Sequence, residues 1–217
     1  MNHRHSASAF TKLDMMIVLG MLVMLALCGV FAQRSARPRA ARINCAAQLK
    51  AVGLALRMWS DDHGERFPWQ VPAAEGGTME FAHLPKAALH YIAASNELNS
   101  PKILKCPNDT QRTRATRWDA PLHLSLSYFV ALNADETRSA TILSGDRNVS
   151  TNGSIMAGFL TVQDTRQLHF TKDIHNQAGN VGMSDGSVAQ LRSANLQKVA
   201  DGEMQVTTNT PIRLVIP

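Results

Sequence analysis

The chain has 217 residues, of which 45% are hydrophobic, and a formal net charge of +5. Once a membrane-length apolar segment is set aside, about 175 residues remain, enough for one ordinary domain with its own core. Six of the 22 basic residues but only one of the 17 acidic residues lie at or before Arg42, so 16 of each remain beyond it. Because the positive excess flanks the apolar segment, the composition argues against nucleic-acid binding through a basic face.

Residues 15–32 form an uncharged run of eighteen apolar, Gly or Cys residues. As a helix this run is about 27 Å long, close to the hydrocarbon thickness of a bilayer. It has no polar face, which favours a membrane helix over a buried core helix. Asp14 stands at its edge, where an ionised carboxylate is costly, so we expect this residue to have a partner.

Two other export signals fit parts of this segment. A secretory signal peptide would be cut after the small-x-small triplet at residues 30–32. A lipoprotein signal would use Cys28, although Leu27 stands where a small residue is expected. Neither signal accounts for Asp14.

The stretch AFTKLDMMIVLGMLVMLAL (residues 9–27) resembles the N-terminus of type IV pilins and type II secretion pseudopilins. The resemblance implies a leader at residues 1–9, prepilin peptidase cleavage between Ala9 and Phe10, N-methylation of Phe10, and a membrane and filament-core helix over residues 10–33. It also implies that Asp14, fifth in the mature chain, sets the assembly register. Its carboxylate would meet the terminal ammonium of a neighbouring subunit, an attraction that a low dielectric strengthens.

This segment departs from the family pattern in its residues and in its flanking charges. Ala9, Lys12 and Asp14 stand where the family has Gly, an apolar residue and Glu. Four arginines follow the apolar segment within residues 34–42, which opposes an outward-facing domain under the positive-inside rule. We predict that residues 34–42 are either a basic linker or a continuation of the helix.

Residues 41–62 have the pattern of an amphipathic helix. Their apolar positions recur at spacings of three and four, and Gly64 follows where a helix would end. The stripe is expected to pack against the domain core; it consists of Cys45, Leu49, Val52, Leu56 and Trp59.

The domain contains two cysteines, Cys45 and Cys106, in the contexts RINCAAQLK and ILKCPND. These contexts resemble a subgroup of pilin-like proteins in which a helix cysteine faces a Cys-Pro on a later loop, which implies a disulfide. Such a bridge would contribute about 4 kcal/mol in the chain-entropy model. Two unpaired buried thiols are the alternative. Because a disulfide is useful in an oxidising compartment, the pair favours an exported domain.

The rest of the chain predicts an α+β domain over residues 43–217. Helices are predicted at residues 84–94, where Leu84, Ala88, Tyr91 and Ile92 share one face, and at residues 194–200. Strands are predicted at residues 123–132, 139–143, 155–162, 166–171 and 211–216, with a hairpin at residues 180–191. The resemblance implies a pilin-like layout, in which a long N-terminal helix with a membrane half and an amphipathic half packs on a small antiparallel sheet.

His175 and the pair Asp185-Gly186 match an H-x9-DG motif that resembles one found in a large group of prepilin-type proteins. In a structural interpretation, Asp185 takes a turn position that tolerates positive φ, and His175 hydrogen-bonds into the hairpin. In the alternative interpretation, His175 forms a metal or catalytic site with Asp146 or Asp173 nearby.

These features predict a non-enzymatic pilin-like subunit, a pseudopilin or minor pilin of a type II secretion or type IV pilus-like assembly. Its partners would be prepilin peptidase, other pilin-like subunits and the inner membrane, with no nucleic acid. The chain would cross that membrane once, with its domain in the periplasm, envelope or a surface filament.

No catalytic or metal-ligating residue is assigned, since the sequence lacks HExxH, Cys-x-x-Cys, P-loop and nucleophile-elbow motifs. No cofactor is expected; calcium is the alternative that the Asp- and Asn-rich loops leave open. The alternative function is a membrane-tethered or secreted enzyme or ligand-binding domain that uses the N-terminal segment only for export.

Overall fold

A computed structural model describes residues 11–151 and 157–217 of the chain. The chain divides into two compact units between Ala40 and Ala41. The predicted cleavage site at Ala9 and Phe10, with the predicted N-methylation, lies outside the described residues.

The helices are α1 (Lys12–Asp61), α2 (Ala87–Ala93), α3 (Ser95–Leu98) and α4 (Ser193–Val206). The strands are β1 (Tyr128–Ala131), β2 (Ile142–Asp146), β3 (Val149–Ser150), β4 (Gly158–Val162), β5 (His169–Phe170), β6 (Ala178–Met183), β7 (Val188–Arg192) and β8 (Ile212–Ile216). Short 3-10 helices fill several of the connections.

The first unit contains the apolar part of α1. All side chains of residues 11–29 are exposed. Within the described part of the chain, Lys12–Gly29 is the one segment long and apolar enough to cross a membrane. The helical assignment continues through residues 34–42.

The second unit is an α+β domain built around an antiparallel sheet, as predicted. Six strands pair in the order β4-β8-β1-β2-β6-β7, and all neighbours are antiparallel. β3 and β5 form a separate antiparallel pair. The stripe predicted on residues 41–62 is confirmed, because Cys45, Leu49, Val52, Leu56 and Trp59 are all buried.

The central strands of the six-stranded sheet contribute side chains to two hydrophobic cores. Successive strand residues point to opposite faces. In β1, Tyr128 and Val130 belong to the core that contains the α1 stripe. Phe129 and Ala131 belong to a second core that contains Leu196 and other residues of α4. The domain therefore has three layers, with the buried stripe of α1 that begins at Cys45 and helix α4 on opposite faces of the sheet.

Tertiary packing changes several of the predicted elements. α4 continues past the predicted end at residue 200 and ends at Val206. The added part of the helix buries Glu203 against the sheet, which extends the buried face of α4. Strand β1 is shorter than the predicted residues 123–132, since a 3-10 helix occupies Leu122–Leu124. α2 buries Ala87, His90 and Tyr91, whereas Ile92, predicted to share the buried face, is 40% exposed.

Glu203 is a carboxylate within the core on the α4 side of the sheet. It is fully buried, and its Oε2 accepts a hydrogen bond of 3.0 Å from the backbone N–H of Ile142. Burial raises the pKa of Glu203 from 4.5 to about 7, although the Ile142 N–H opposes the shift. The folded state therefore binds this proton more tightly than the unfolded state. The resulting stability is present at low pH and lost as the pH rises through about 7.

We predict that Glu203→Gln raises the free energy of unfolding at pH 8.5 by about 2 kcal/mol relative to the wild type. The amide oxygen can still accept from Ile142, but no buried charge forms. At pH 5 the two proteins should differ little, because the glutamate is protonated in the fold. Denaturant unfolding of the full chain in detergent at both pH values measures the difference. An equal gain at both pH values, or the same pH-dependent gain in the exposed control Glu65→Gln, would contradict the prediction.

Candidate functional site

A buried disulfide lies beside a cluster of polar side chains in the domain core. Cys45 comes from α1, and Cys106 follows the 3-10 helix Pro101–Leu104. The two residues are bonded, their Cα atoms are 4.9 Å apart, and neither is exposed. The predicted disulfide is therefore present in the structure, and it ties the loop at Cys106 to α1.

His175 lies directly against this disulfide. Its Nε2 is 3.5 Å from Cys106 Sγ and 3.3 Å from Asp146 Oδ2. On the other side of the ring, the side-chain amide of Asn108 lies 3.2 Å from Nδ1. The next two residues, Asn176 and Gln177, both have positive φ, at 51° and 62°. Such backbone is unfavourable for residues other than glycine, so this loop is strained immediately after His175.

Asp146 ends β2 and is fully buried. Its Oδ2 accepts hydrogen bonds from the backbone N–H and the side-chain Nδ2 of Asn180, at 2.7 and 2.8 Å. Its Oδ1 has no hydrogen-bond partner among the described residues. The sequence named Asp146 and Asp173 as alternative neighbours of His175. Asp146 is the one in contact, whereas the carboxylate of Asp173 accepts a hydrogen bond from the Thr171 hydroxyl.

Burial disfavours charge on both members of the His175–Asp146 pair. Burial, together with the charge of Arg42, lowers the pKa of His175 to about 4. Burial raises the pKa of Asp146 to about 7, against the hydrogen bonds from Asn180 and the charge of Arg42. Near neutral pH His175 is therefore uncharged, and the pair carries at most the charge of Asp146.

A buried salt bridge supports the loop that carries Cys106 and Asn108. Arg147 donates two hydrogen bonds to the carboxylate of Asp109, at 2.7 and 2.8 Å, and both side chains are at most 3% exposed. Ser127 donates a third hydrogen bond to Asp109 at 2.9 Å, and the N–H of Asp109 donates to the carbonyl of Cys106. Burial alone would raise the pKa of Asp109, but the hydrogen bonds and charge of Arg147 hold it below its usual range.

The other half of the H-x9-DG motif lies at the opposite end of β6. The six residues of β6 separate His175 from Asp185-Gly186 by about 20 Å. The sequence expectation for Asp185 was wrong, since Gly186 takes the positive φ, at 82°. Asp185 instead accepts a hydrogen bond from the N–H of Ser187, as short polar side chains do in turns. Arg57 of α1 donates to the Asp185 carbonyl at 2.7 Å.

These contacts show that the motif does not form one site. Within the described part of the chain, His175 contacts the hairpin through Asn180, whose Nδ2 lies 3.4 Å from Nε2. The sequence did not identify Asn108 and Asn180 as neighbours of His175. Asn108 follows Cys106 by two residues, but nothing in its local pattern distinguishes it from an ordinary loop residue.

A cavity of about 690 Å³ lies beside the cluster, and His175 forms part of its wall. Arg42, His169 and Arg192 also line it. Arg42 donates a weak hydrogen bond to the Leu191 carbonyl at 3.4 Å, while its buried Nε has no partner in the described structure. The lining favours an anion over a cation.

Asp14 belongs to the other unit, lies in the first turn of α1, and pairs with Thr11 at the N-cap position. Its Oδ2 accepts hydrogen bonds from the N–H and hydroxyl of Thr11, at 3.0 and 2.8 Å. The N–H of Asp14 donates in return to the Thr11 hydroxyl at 3.3 Å. This reciprocal pattern is a capping box, which stabilises a helix N-terminus. Capping is therefore a second physical explanation for an acid at this position.

No family model, curated protein or solved structure matches this chain. Its function is therefore inferred from its own residues and their geometry.

Proposed function

We propose that this chain is a non-enzymatic pilin-like subunit, a pseudopilin or minor pilin, anchored in the inner membrane through residues 10–33. The observation that carries the proposal is the fully exposed apolar segment Lys12–Gly29 with Asp14 in its first turn. An apolar helix face of this length needs either lipid or other helices to cover it. In a filament subunit, lipid covers this helix while it anchors the subunit in the membrane. Other helices cover it once it is part of the filament core.

The disulfide supports export of the domain. Disulfides persist in oxidising compartments and are rare in the cytosol. The Cys45–Cys106 bond is buried, and hydrogen bonds of Asn108 and Asp109 hold the loop that carries Cys106. It is therefore a structural bond of the fold. A periplasmic or envelope location for the domain follows from this chemistry and is part of the proposal. Prepilin peptidase and other pilin-like subunits are the proposed partners.

The basic cavity favours a second candidate function, a membrane-tethered or secreted domain that binds an anionic ligand. The two candidates differ in the mature protein. A filament subunit begins at Phe10 and keeps its apolar helix, whereas a secreted domain begins near Gln33 without it. N-terminal sequencing of the protein from peptidase-proficient cells distinguishes them, and a mature start near Gln33 would refute the filament proposal.

We predict that Asp14→Ala abolishes assembly while membrane insertion stays intact or improves, because an ionised group leaves the bilayer edge. Asp14→Glu should retain assembly, since it keeps the charge. Asp14→Asn should behave like Asp14→Ala, although an amide oxygen can still cap the helix. The measurement is cross-linking or filament recovery at matched protein levels.

A control variant distinguishes the two possible roles of Asp14, in setting the assembly register and in capping α1. Thr11→Val removes the hydroxyl half of the capping box and leaves the carboxylate. If the charge of Asp14 sets the register, Thr11→Val should still assemble. Normal assembly of Asp14→Ala, or failure of Thr11→Val to the same extent, would show that the acid serves only as a helix cap.

A further inference from the structure

We propose that the cavity beside His175 binds a phosphate group through the side chains of Arg42 and Arg192 and the first backbone N–H groups of α4. The proposal gives a ligand class to the anion-binding candidate function and rests on that candidate. It does not depend on the filament proposal, which the mature N-terminus tests separately.

The cavity lies among four segments of the second unit. Arg42 lines it from α1, Phe170 from β5, and Arg192 from the end of β7. Ser193 and Ala194, the first two residues of α4, also line it. Its volume of about 690 Å³ falls in the range of pockets that hold small organic ligands, about 300–1,000 Å³. The space therefore accommodates a phosphate group together with the organic molecule that carries it.

The two arginines give the cavity wall a positive charge that no lining acid matches. Within the described part of the chain, no Asp or Glu lines the cavity, and neither Arg42 nor Arg192 forms a salt bridge. Arg42 is half-buried, and its buried Nε has no hydrogen-bond partner among the described residues. A buried donor on a charged group is costly to leave unpaired, so an acceptor in the cavity would stabilise it.

The buried groups next to the cavity do not cancel this charge. The charge of Arg42 reaches Asp146, but Asp146 does not line the cavity. Burial raises the pKa of Asp146 to about 7, so near neutral pH this carboxyl carries only part of a negative charge. His175 lines the cavity and is uncharged at that pH. The two arginines therefore leave the wall positive.

The N-terminus of α4 adds partial positive charge at the same wall. No acidic residue lies in its first turn, and Arg192 at the N-cap position makes no side-chain hydrogen bond to the helix. The Ser193 hydroxyl accepts a hydrogen bond of 3.0 Å from the N–H of Phe170. Since the first N–H groups of a helix have no intrahelical acceptor, those of Ser193 and Ala194 can donate to an oxygen in the cavity.

A phosphate monoester suits this arrangement better than a carboxylate. It carries a charge of about −1.5 to −2 at pH 7 and three terminal oxygens, which can accept from both arginines and from the helix N–H groups. A carboxylate has a smaller charge and one oxygen fewer. Helix N-termini bind phosphate because their N–H groups and their dipole both favour an anion. The phosphate can belong to a soluble molecule or to a lipid headgroup.

The test is isothermal titration calorimetry of the full chain in a phosphate-free detergent. Glycerol phosphate and a short-chain phosphatidic acid carry the same phosphate monoester, with and without acyl chains on the glycerol in the second and first case. We expect one phosphate monoester to bind per chain. At least about tenfold tighter binding of phosphatidic acid assigns the phosphate to a lipid, and equal or weaker binding assigns it to a soluble molecule.

Succinate separates this inference from the anion-binding candidate on which it rests. If this dicarboxylate binds as tightly as glycerol phosphate and phosphatidic acid, the cavity takes anions but is not a phosphate site. If none of the three binds, the inference and the anion-binding candidate both fail, and the filament proposal is unaffected.

Matched arginine variants locate the site. Arg42→Gln and Arg192→Gln should each weaken binding by at least about tenfold, because each removes a charged hydrogen-bond donor. Arg114 is exposed and does not line the cavity, so the control Arg114→Gln should bind as the wild type does. Unchanged binding by the two cavity variants, or an equal loss in Arg114→Gln, would overturn the proposal.

A variant at Ala194 tests the site without removing a buried group, since Ala194 is exposed. A glutamate in the first turn favours the helix through its dipole but repels an anion in the cavity. Ala194→Glu should therefore fold normally and weaken binding by at least about tenfold, whereas the uncharged Ala194→Gln should bind nearly as the wild type does. Circular dichroism establishes that each variant is folded. If folded Ala194→Glu binds phosphate as tightly as Ala194→Gln, the cavity is not the site.

Discussion

Replacing Arg147 with Met is expected to lower the free energy of unfolding by about 3–5 kcal/mol, because it leaves the Asp109 charge buried without its partner. Arg147 and Asp109 are 3% and 1% exposed, and two hydrogen bonds join them. Ser127 would still donate to the carboxylate, but a hydroxyl cannot replace a positive charge. Since Asp109 also holds the Cys106 carbonyl, the loss should loosen the loop that carries the disulfide.

Denaturant unfolding of the full chain in detergent measures this cost. The matched control is Arg117→Met, which breaks an ion pair whose members are 77% and 65% exposed. Exposed pairs contribute about 0–1 kcal/mol, so this variant should unfold nearly as the wild type does. The double variant Arg147→Met with Asp109→Leu should recover part of the loss, because no unpaired charge remains. Similar costs for Arg147→Met and Arg117→Met would contradict a buried-charge explanation.

Removing the disulfide in the double variant Cys45→Ala, Cys106→Ala is expected to destabilise the domain by about 4 kcal/mol. The two residues are 61 apart in sequence, so the bridge greatly restricts the unfolded chain. Two buried sulfurs are also lost, which adds a cost for the cavities that remain. A reductant should likewise lower the free energy of unfolding of the wild type. It should leave the free energy of unfolding of the double variant unchanged.

The third cysteine provides the control. Cys28 is exposed in the apolar segment and is not bonded. Cys28→Ala should therefore leave both the stability and its response to reductant unchanged. If the double variant unfolds within about 1 kcal/mol of the wild type, the bond does not constrain the unfolded state as the chain-entropy model requires.

The elements predicted well from sequence are those that depend on local periodicity. The membrane-length segment follows from an uninterrupted apolar run, and the buried stripe from Cys45 to Trp59 follows from spacings of three and four. The α+β class and the antiparallel sheet follow from short β-branched runs between turn residues. The Cys45–Cys106 bond was implied by resemblance of the two sequence contexts, and it is present in the structure.

The errors arose where burial depends on neighbours distant in sequence. Ile92 has the right spacing for the inner face of α2, yet the core lies on the side of Ala87 and Tyr91. The residues of the H-x9-DG motif, His175 and Asp185-Gly186, are close in sequence but do not meet in the structure. A strand between them carries the two ends apart, since an extended chain rises about 3.3 Å per residue.

The sequence by itself determined the apolar helix, the buried stripe of α1 and the class of the domain, because each depends on patterns that repeat within one segment. Only the tertiary structure decided which polar residues meet at the Cys45–Cys106 disulfide. Cys45, Cys106, Asp146 and His175 come from α1, a loop, the end of β2 and the loop before β6, and the antiparallel pairing of β2 with β6 brings Asn180 to Asp146. Contacts between such segments depend on chain topology and strand register, which no local spacing encodes.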